Sequence, residues 1–282
     1  MRQLASLGTE VVGIVYRHPL DLAGFDTVTA DLRDAAGVRR LLGELRPRAV
    51  LHAAAATNVD WCETHPEEAA RINVEATAGL AKAARELGTR FVHFSTDLVF
   101  DGTSPPYDEE SPARPLSHYG RTKRAAEEAV LALDPSALVL RVALLYGRGS
   151  PHGGTFFDAL LARLARGEVV DLFTDQFRTP ALLADIARAA DRALQREASG
   201  LYHLGGPERL SRFAFGQAVC RAWGYREDLL RPASYLDHAF AGPRPADCSL
   251  RTERARRDLG VRFQTLAEGL DEIRRESEDR RA

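Results

Sequence analysis

The stretch RFVHFSTDLVFDG, residues 90–102, is followed after a proline-rich loop by LSHYGRTKRAAEEAVLA, residues 116–132. The first part is an apolar, β-prone run that ends on Ser95, Thr96 and Asp97, and it reads as a buried strand. The second opens a helix that carries Tyr119 and Lys123. A spacing of four puts these two on one helix face, about one turn apart. An ammonium beside a phenol favours phenolate and lowers a pKa that starts near about 10. A hydroxyl at the strand end, Thr96 or Ser95, could hydrogen-bond a carbonyl oxygen beside that tyrosine. Together they form a proton donor for carbonyl reduction, or an acceptor for alcohol oxidation.

Tyr-x-x-x-Lys alone is a weak signal, and composition sharpens it. Of 38 Lys plus Arg, only Lys82 and Lys123 are lysine. A tyrosine four residues before either would arise by chance at about 5%. Arginine is forked and always charged, whereas lysine is a compact charge on a flexible stem. The bland alternative is a surface helix with an incidental pair.

Working outward, MRQLASLG (1–8) reads as a helix end, with Gly8 suited to stop it. Strands are expected at 9–17, 25–34, 49–56, 90–100 and 137–147, with helices at 35–47 and 66–88 between them. Pro66 suits the first turn of its helix, and Gly88 lies just past the end. Strands apolar on both faces and alternating with helices predict an α/β fold, a doubly wound, Rossmann-like parallel sheet covered on both sides. After Gly147 the rhythm breaks. The expected division is a dinucleotide-binding domain over 1–147, to which 181–206 returns, and a smaller C-terminal substrate lobe from 148–180 and 207–282.

Composition narrows the class. A chain of 282 residues with 45% hydrophobic and 28% charged content describes a soluble globular protein with a large core. A net charge of −2 gives no reason to expect nucleic acid or an anionic membrane as partner. Three cysteines without a CxxC give no disulfide framework and fit a reducing, cytoplasmic setting. No apolar run approaches the ~20 residues of a membrane span. His52, His93 and His118 lack ligand-like spacing, so no metal is expected. Asp108, Glu109 and Glu110 read as a solvated acidic loop. Tyr146 stands even between packing and substrate contact.

Five stretches carry a family resemblance: LHAAAATNVDWCETHPEEAARINVEAT (51–77), HFSTDLVFDGT (93–103), PYDEESPARPLSHYGRTKRAAEE (106–128), LRVALLYG (140–147) and DQFRTP (175–180). With them the chain resembles the extended short-chain dehydrogenase/reductase superfamily, and within it the dTDP-4-dehydrorhamnose reductase branch, which binds sugar nucleotides. The resemblance implies that Tyr119 is the general acid protonating a keto oxygen as hydride arrives. It implies that Lys123 holds the nicotinamide ribose and lowers the tyrosine pKa, that Thr96 supplies the triad hydroxyl, and that Asp97 faces the substrate. It also implies that Asp31 and Leu32 meet adenine and that Ala53, Ala54 and Ala55 form the loop passing the cofactor's pyrophosphate and ribose, where small side chains let the protein backbone approach closely. Asn73 falls where the superfamily keeps asparagine. Arg17 sits where the adenosine ribose is read; arginine suits a 2′-phosphate, so NADPH is expected, with NADH as the alternative.

Two departures from the branch stand out. Leu144 occupies the place where a substrate-packing Trp often stands, which leaves the sugar open. Gln176 and Arg178 remain candidate substrate-facing groups, Arg178 with a fork able to clamp a pyrophosphate. The second departure is at the start: the chain opens near the end of the helix that should follow a Gly-x-x-Gly-x-x-Gly turn. The first strand and its phosphate loop are then missing from the sheet centre, and a break is expected between the strand around 10–16 and that around 50–54. The expectation is that this start lies about 20 residues inside a longer reductase. The alternative is a genuine short form with cofactor binding lost.

The leading expectation is an NAD(P)H-dependent oxidoreductase, reducing a nucleotide-linked 4-keto-6-deoxysugar as in dTDP-rhamnose biosynthesis, with the nucleotide sugar as its small-molecule partner. A homodimer is an option that the residues leave open. The rival class is a non-catalytic sugar-nucleotide- or partner-binding homologue, as in the regulatory subunit of methionine adenosyltransferase, which looks similar to this branch. An epimerase on the same scaffold is a third reading.

Overall fold

The computed structural model describes residues 2–6, 8–16, 24–148 and 155–279. The chain opens with helix α1 (Arg2–Ser6), and Gly8 turns the backbone at φ 81°. Strands β1 (Gly13–Val15) and β2 (Thr27–Thr29) pair in parallel, Gly13 opposite Thr27. Helix α2 (Ala35–Leu45) starts at Asp34, whose side chain accepts from the Gly37 N–H. Strand β3 (Ala49–His52) and helix α3 (Val59–Thr64) follow. Helix α4 (Pro66–Ala70), a π-helical turn (Arg71–Glu75) and helix α5 (Ala76–Glu86) replace the single helix expected there.

The centre of the molecule is strand β4 (Arg90–Thr96), with β5 (Leu138–Val142) reached through helix α6 (His118–Leu133). Strand β6 (Leu145–Tyr146), helix α7 (Phe156–Ala165), strands β7 (Val170–Phe173), β8 (Phe177–Arg178) and β9 (Ala181–Leu182), and helix α8 (Leu183–Gln195) come next. Strand β10 (Gly200–Leu204) then returns beside β5. The main sheet is therefore β3-β4-β5-β10, parallel throughout.

The strand period of two sorts the core. Phe91 and Val139 face α2, α5 and α6 through Val38, Leu42, Leu80, Ala84 and Val130. Val92, Leu138 and Leu140 face the other side, where Ile186, Ala189, Ala190 and Ala193 of α8 lie. Small residues on α8 let it approach closely, and α1 touches the same helix. Both faces are covered, as a parallel sheet requires.

The expected break is present. Among the described residues β1 bonds only to β2, and β3 only to β4, so the pair and the main sheet are separate ladders. β1 and β2 are also shorter than the strands expected at 9–17 and 25–34. A strand whose neighbour lies on one side only has fewer ladder bonds to define its ends.

The remaining elements are strand β11 (Leu210–Ser211), helix α9 (Arg212–Trp223), strand β12 (Leu230–Ala233), and helices α10 (Glu253–Leu259) and α11 (Leu266–Asp279). They help build a second apolar core, in which Phe157, Leu160, Leu172, Phe215, Leu230 and Leu270 meet. Tyr146 lies inside it with no exposure, a packing residue. α10 instead packs Ala255 and Leu259 on the sheet core. Among the described residues no helix is long and apolar enough to cross a membrane, and no cluster of His, Cys, Asp and Glu could hold a metal ion.

Candidate active site

The carboxyl end of β4 and the start of α6 are pressed together by Gly120. A Cβ there would sit 2.3 Å from the Leu98 carbonyl oxygen and 2.9 Å from Pro115 Cβ, so no larger residue fits without movement. The first turn of α6 is capped twice: Ser117 Oγ accepts from the Gly120 N–H (3.1 Å), and Glu63 Oε2 accepts from the His118 N–H (2.8 Å). Tyr119 is thereby buried against Cys62, Ala69 and Leu98.

The structure places Thr96, Tyr119 and Lys123 where β4 meets α6. The Thr96 hydroxyl lies beside the Tyr119 phenol and donates to Asp97 Oδ1 at 3.2 Å. The Lys123 ammonium donates to the Phe94 carbonyl (2.7 Å) and to His93 Nε2 (3.1 Å). The expected lowering of the tyrosine pKa is not found. Burial dominates and pushes the phenol upward, because the ammonium is directed at the β4 backbone and His93. Tyr119 is thus held protonated, ready to give a proton. Burial also pulls Lys123 down to about 8, with Glu127 opposing.

His93 is neutral, held well below its ordinary pKa by burial first and by Lys123 next. Its ring lies 5.5 Å from that of His52, which pairs with Thr77 Oγ1 at 2.9 Å. His93 Nδ1 has no hydrogen-bond partner among the described residues. Neither histidine drew attention in the sequence beyond lacking metal spacing; only the register of β3 with β4 makes them neighbours.

The loop after β3 carries Ala53 and Ala54 exposed and Ala55 half-buried. Asn73, in the π-helical turn, anchors it. Asn73 Oδ1 accepts from the Ala56 N–H (2.7 Å), and Nδ2 donates to the Ala56 carbonyl (3.1 Å) and to Thr122 Oγ1 (3.0 Å). One buried amide therefore ties the alanine loop to the helix of Tyr119 and Lys123. Such π-turns recur at functional sites.

Further along the carboxyl edge, Asp31 is engaged by Arg33, at 2.8 Å, which holds its carboxyl down to about 2. Arg33 also meets Tyr16 and Glu68. Leu32 packs on the core beneath α2. Arg17 lies outside the described residues. The acidic loop is only partly solvated: Glu109 Oε1 accepts from the His203 N–H at 2.9 Å.

On the other side of Thr96, Asp97 Oδ2 meets Arg178 Nε at 3.3 Å, both buried. Burial pushes the Asp97 carboxyl up, while Arg178 and Arg212 pull it down. Gln176 is buried too, its Oε1 3.5 Å from Arg212 Nε. Arg212, the first residue of α9, is brought here from a distant part of the chain. Its place depends on a two-residue ladder between β8 and β11 that local sequence does not reveal.

A nicotinamide dinucleotide can be tested against these donors. Two of the three Lys123 ammonium protons are taken within the chain, which leaves one for a ribose hydroxyl. The alanine loop offers exposed backbone for close approach. These donors and this open loop fit such a group.

Comparison with known proteins agrees with this geometry. The family model described as the RmlD substrate binding domain matches residues 3–278. A probable dTDP-4,6-dihydroxy-2-methyloxan-3-one 4-ketoreductase of Streptomyces antibioticus is 36% identical over 253 residues, 89% of this chain and 85% of that protein. Methionine adenosyltransferase 2 subunit beta of Xenopus tropicalis is 35% identical over 229 residues, 78% of this chain and 68% of that protein. Among solved structures, MoeE5 in complex with UDP-glucuronic acid and NAD superimposes with a TM-score of 0.79 at 28% identity, covering 98% of this chain and 94% of that one. A family match over nearly the whole chain, laid on a parallel α/β sheet with Tyr119, Lys123 and Thr96 at its carboxyl edge, places this protein in the dTDP-4-dehydrorhamnose reductase-like branch of the extended short-chain dehydrogenase/reductase superfamily.

Proposed function

We propose that the chain is a nicotinamide-dependent reductase of a nucleotide-linked keto-deoxysugar. The observation that carries this reading is a buried Tyr119, held protonated by burial beside the Thr96 end of β4 and one turn of α6 from Lys123. Similarity to a 4-ketoreductase supports the reaction class, and the NAD-bound neighbour supports the cofactor class. When bound, NADPH or NADH supplies hydride. Lys123 holds the ribose end, the loop of Ala53, Ala54 and Ala55 flanks the pyrophosphate, and Asp31 and Leu32 lie toward adenine. Arg17 would favour NADPH. Thr96 orients the keto oxygen, and Tyr119 gives it the proton. Asp97, Gln176 and Arg178 face the substrate.

The test is oxidation of NADPH, and separately NADH, by this chain in the presence of a dTDP-4-keto-6-deoxysugar. Turnover with one nicotinamide is expected, and Y119F should lower kcat by about a hundredfold or more with cofactor affinity kept. Absence of turnover with both would reject the reading. The similarity to methionine adenosyltransferase 2 subunit beta favours a second, non-catalytic reading. Stoichiometric co-elution with a methionine adenosyltransferase catalytic subunit, without keto-sugar reduction, would establish it instead.

A further inference from the structure

Among the described residues, no carboxylate bonds the buried Lys123 ammonium. Its two partners are the Phe94 carbonyl, at 2.7 Å, and His93 Nε2, at 3.1 Å, and both are uncharged. Glu127, one turn further along α6, is engaged by Arg141 at 2.8 and 2.7 Å and by Arg124 at 3.2 Å. Asp97, just past the end of β4, pairs with Arg178. Burial holds Tyr119 protonated, and it pulls His52 down to about 3, with Lys123 adding to the shift.

An ammonium only donates, so its bond to His93 needs a bare Nε2 lone pair and leaves the imidazole proton on Nδ1. A histidine tautomer is set by the bond its other nitrogen makes. Here Nδ1 is buried with no hydrogen-bond partner among the described residues, and so is the Oγ of Ser95, two residues along the same face of β4. Lys123 is therefore the group that sets the tautomer. Packing fixes the ring itself. His93 has no exposure, and it lies 5.5 Å from the ring of His52, its partner in the β3–β4 register. His52 is anchored in turn on Thr77 Oγ1 at 2.9 Å. A carboxylate in place of His93 would cancel the ammonium's charge, and an apolar side chain would leave it one acceptor short.

We propose that His93 is a positioning residue for Lys123, a neutral acceptor that holds the ammonium against β4 with its charge uncancelled and its third proton free for a ligand. The tether stands on the geometry. Its use, to aim that proton at a cofactor ribose, rests on the reductase reading given above.

The chain's two lysines make the test direct, because the exposed Lys82 serves as internal reference for Lys123 in carbon and nitrogen spectra of lysine-labelled protein. Nitrogen spectra of labelled histidine read the tautomer, with His93 identified by loss of its signal in H93Q. In the wild-type chain His93 is expected neutral, protonated on Nδ1, below about pH 8, where Lys123 is charged. H93L keeps the volume and removes the acceptor, so the Lys123 titration should fall by about one pH unit or more. H93Q carries a side-chain carbonyl that can stand where Nε2 stood, and should bring the titration back to within about 0.3 unit of wild type. Thermal melts confirm folding; should H93L fail to fold, the wild-type tautomer decides. In turnover, H93L should raise the KM for the nicotinamide about tenfold with kcat changed less than about threefold, and H93Q should recover it. A wild-type chain without turnover rejects the reductase reading and leaves the tether to be judged by the spectra. A protonated Nε2 in the wild-type chain, or an unchanged Lys123 titration in folded H93L, would overturn the proposal.

Discussion

Lys123 is one of only two lysines among many arginines, and its surroundings supply a reason. The group is buried beneath the sheet edge between the Phe94 carbonyl and His93, a space for a compact ammonium and not for a fork. Its pKa is lowered from 10.5 to about 8. Between those values the unfolded chain binds more protons than the folded one, so this residue's contribution to stability rises with pH across that window. Below about pH 8 it is a cost in full. K123M should therefore be more stable than wild type at neutral pH, and the gain should shrink as pH rises from about 8 toward 10.5, measured by urea unfolding at several pH values. The functional consequence has the opposite sense. In the proposed function the Lys123 ammonium holds the cofactor ribose and is lost on deprotonation, so kcat/KM should fall as pH rises through about 8. A profile flat across that range would remove Lys123 from the charged role.

The element that carries Tyr119 and Lys123 is α6, and one buried pair fixes it to the sheet. Arg141 on β5 donates to both carboxylate oxygens of Glu127, at 2.8 and 2.7 Å, with both side chains almost fully buried. Arg141 also lies over the Phe100 ring at 5.1 Å. Removing one partner strands a buried charge, at a cost of about 3–5 kcal/mol, whereas replacing both by apolar groups can be nearly neutral. E127Q should accordingly lower stability strongly in chemical denaturation, and E127L/R141M much less. Equal losses in the two would show that packing, not charge, carries the contact. The same helix displays what was readable and what was not. Its face with Tyr119 and Lys123 follows from a spacing of four, whereas the Ser117 cap at its start is a finding of the structure. The clip from Asn73 to Ala56 and Thr122 joins residues 17 and 49 apart in sequence, and no local pattern announces it.

At the scale of the whole molecule, the two ladders differ in support. β4 and β5 are buried on both faces and flanked on both sides, whereas β1 and β2 are partly exposed and, among the described residues, bond only to each other. Opening free energy follows buried contacts and ladder bonds. Amides of Gly13–Val15 and Thr27–Thr29 should lose hydrogen-exchange protection well before those of β4 and β5, read by mass spectrometry at peptide resolution. Equal protection would mean that the pair is coupled to the main sheet by contacts other than hydrogen bonds. The parallel α/β class, the main strands and the Tyr119–Lys123 helix could be read from residue order, since helix and strand periods and caps are local properties. Three things were settled only by the tertiary structure: the upward shift of Tyr119, the seating of Lys123 on His93, and the meeting of Arg178 with Arg212 over Asp97. Each depends on burial and on distances between residues far apart in the chain, and desolvation has no signature in a local stretch of sequence.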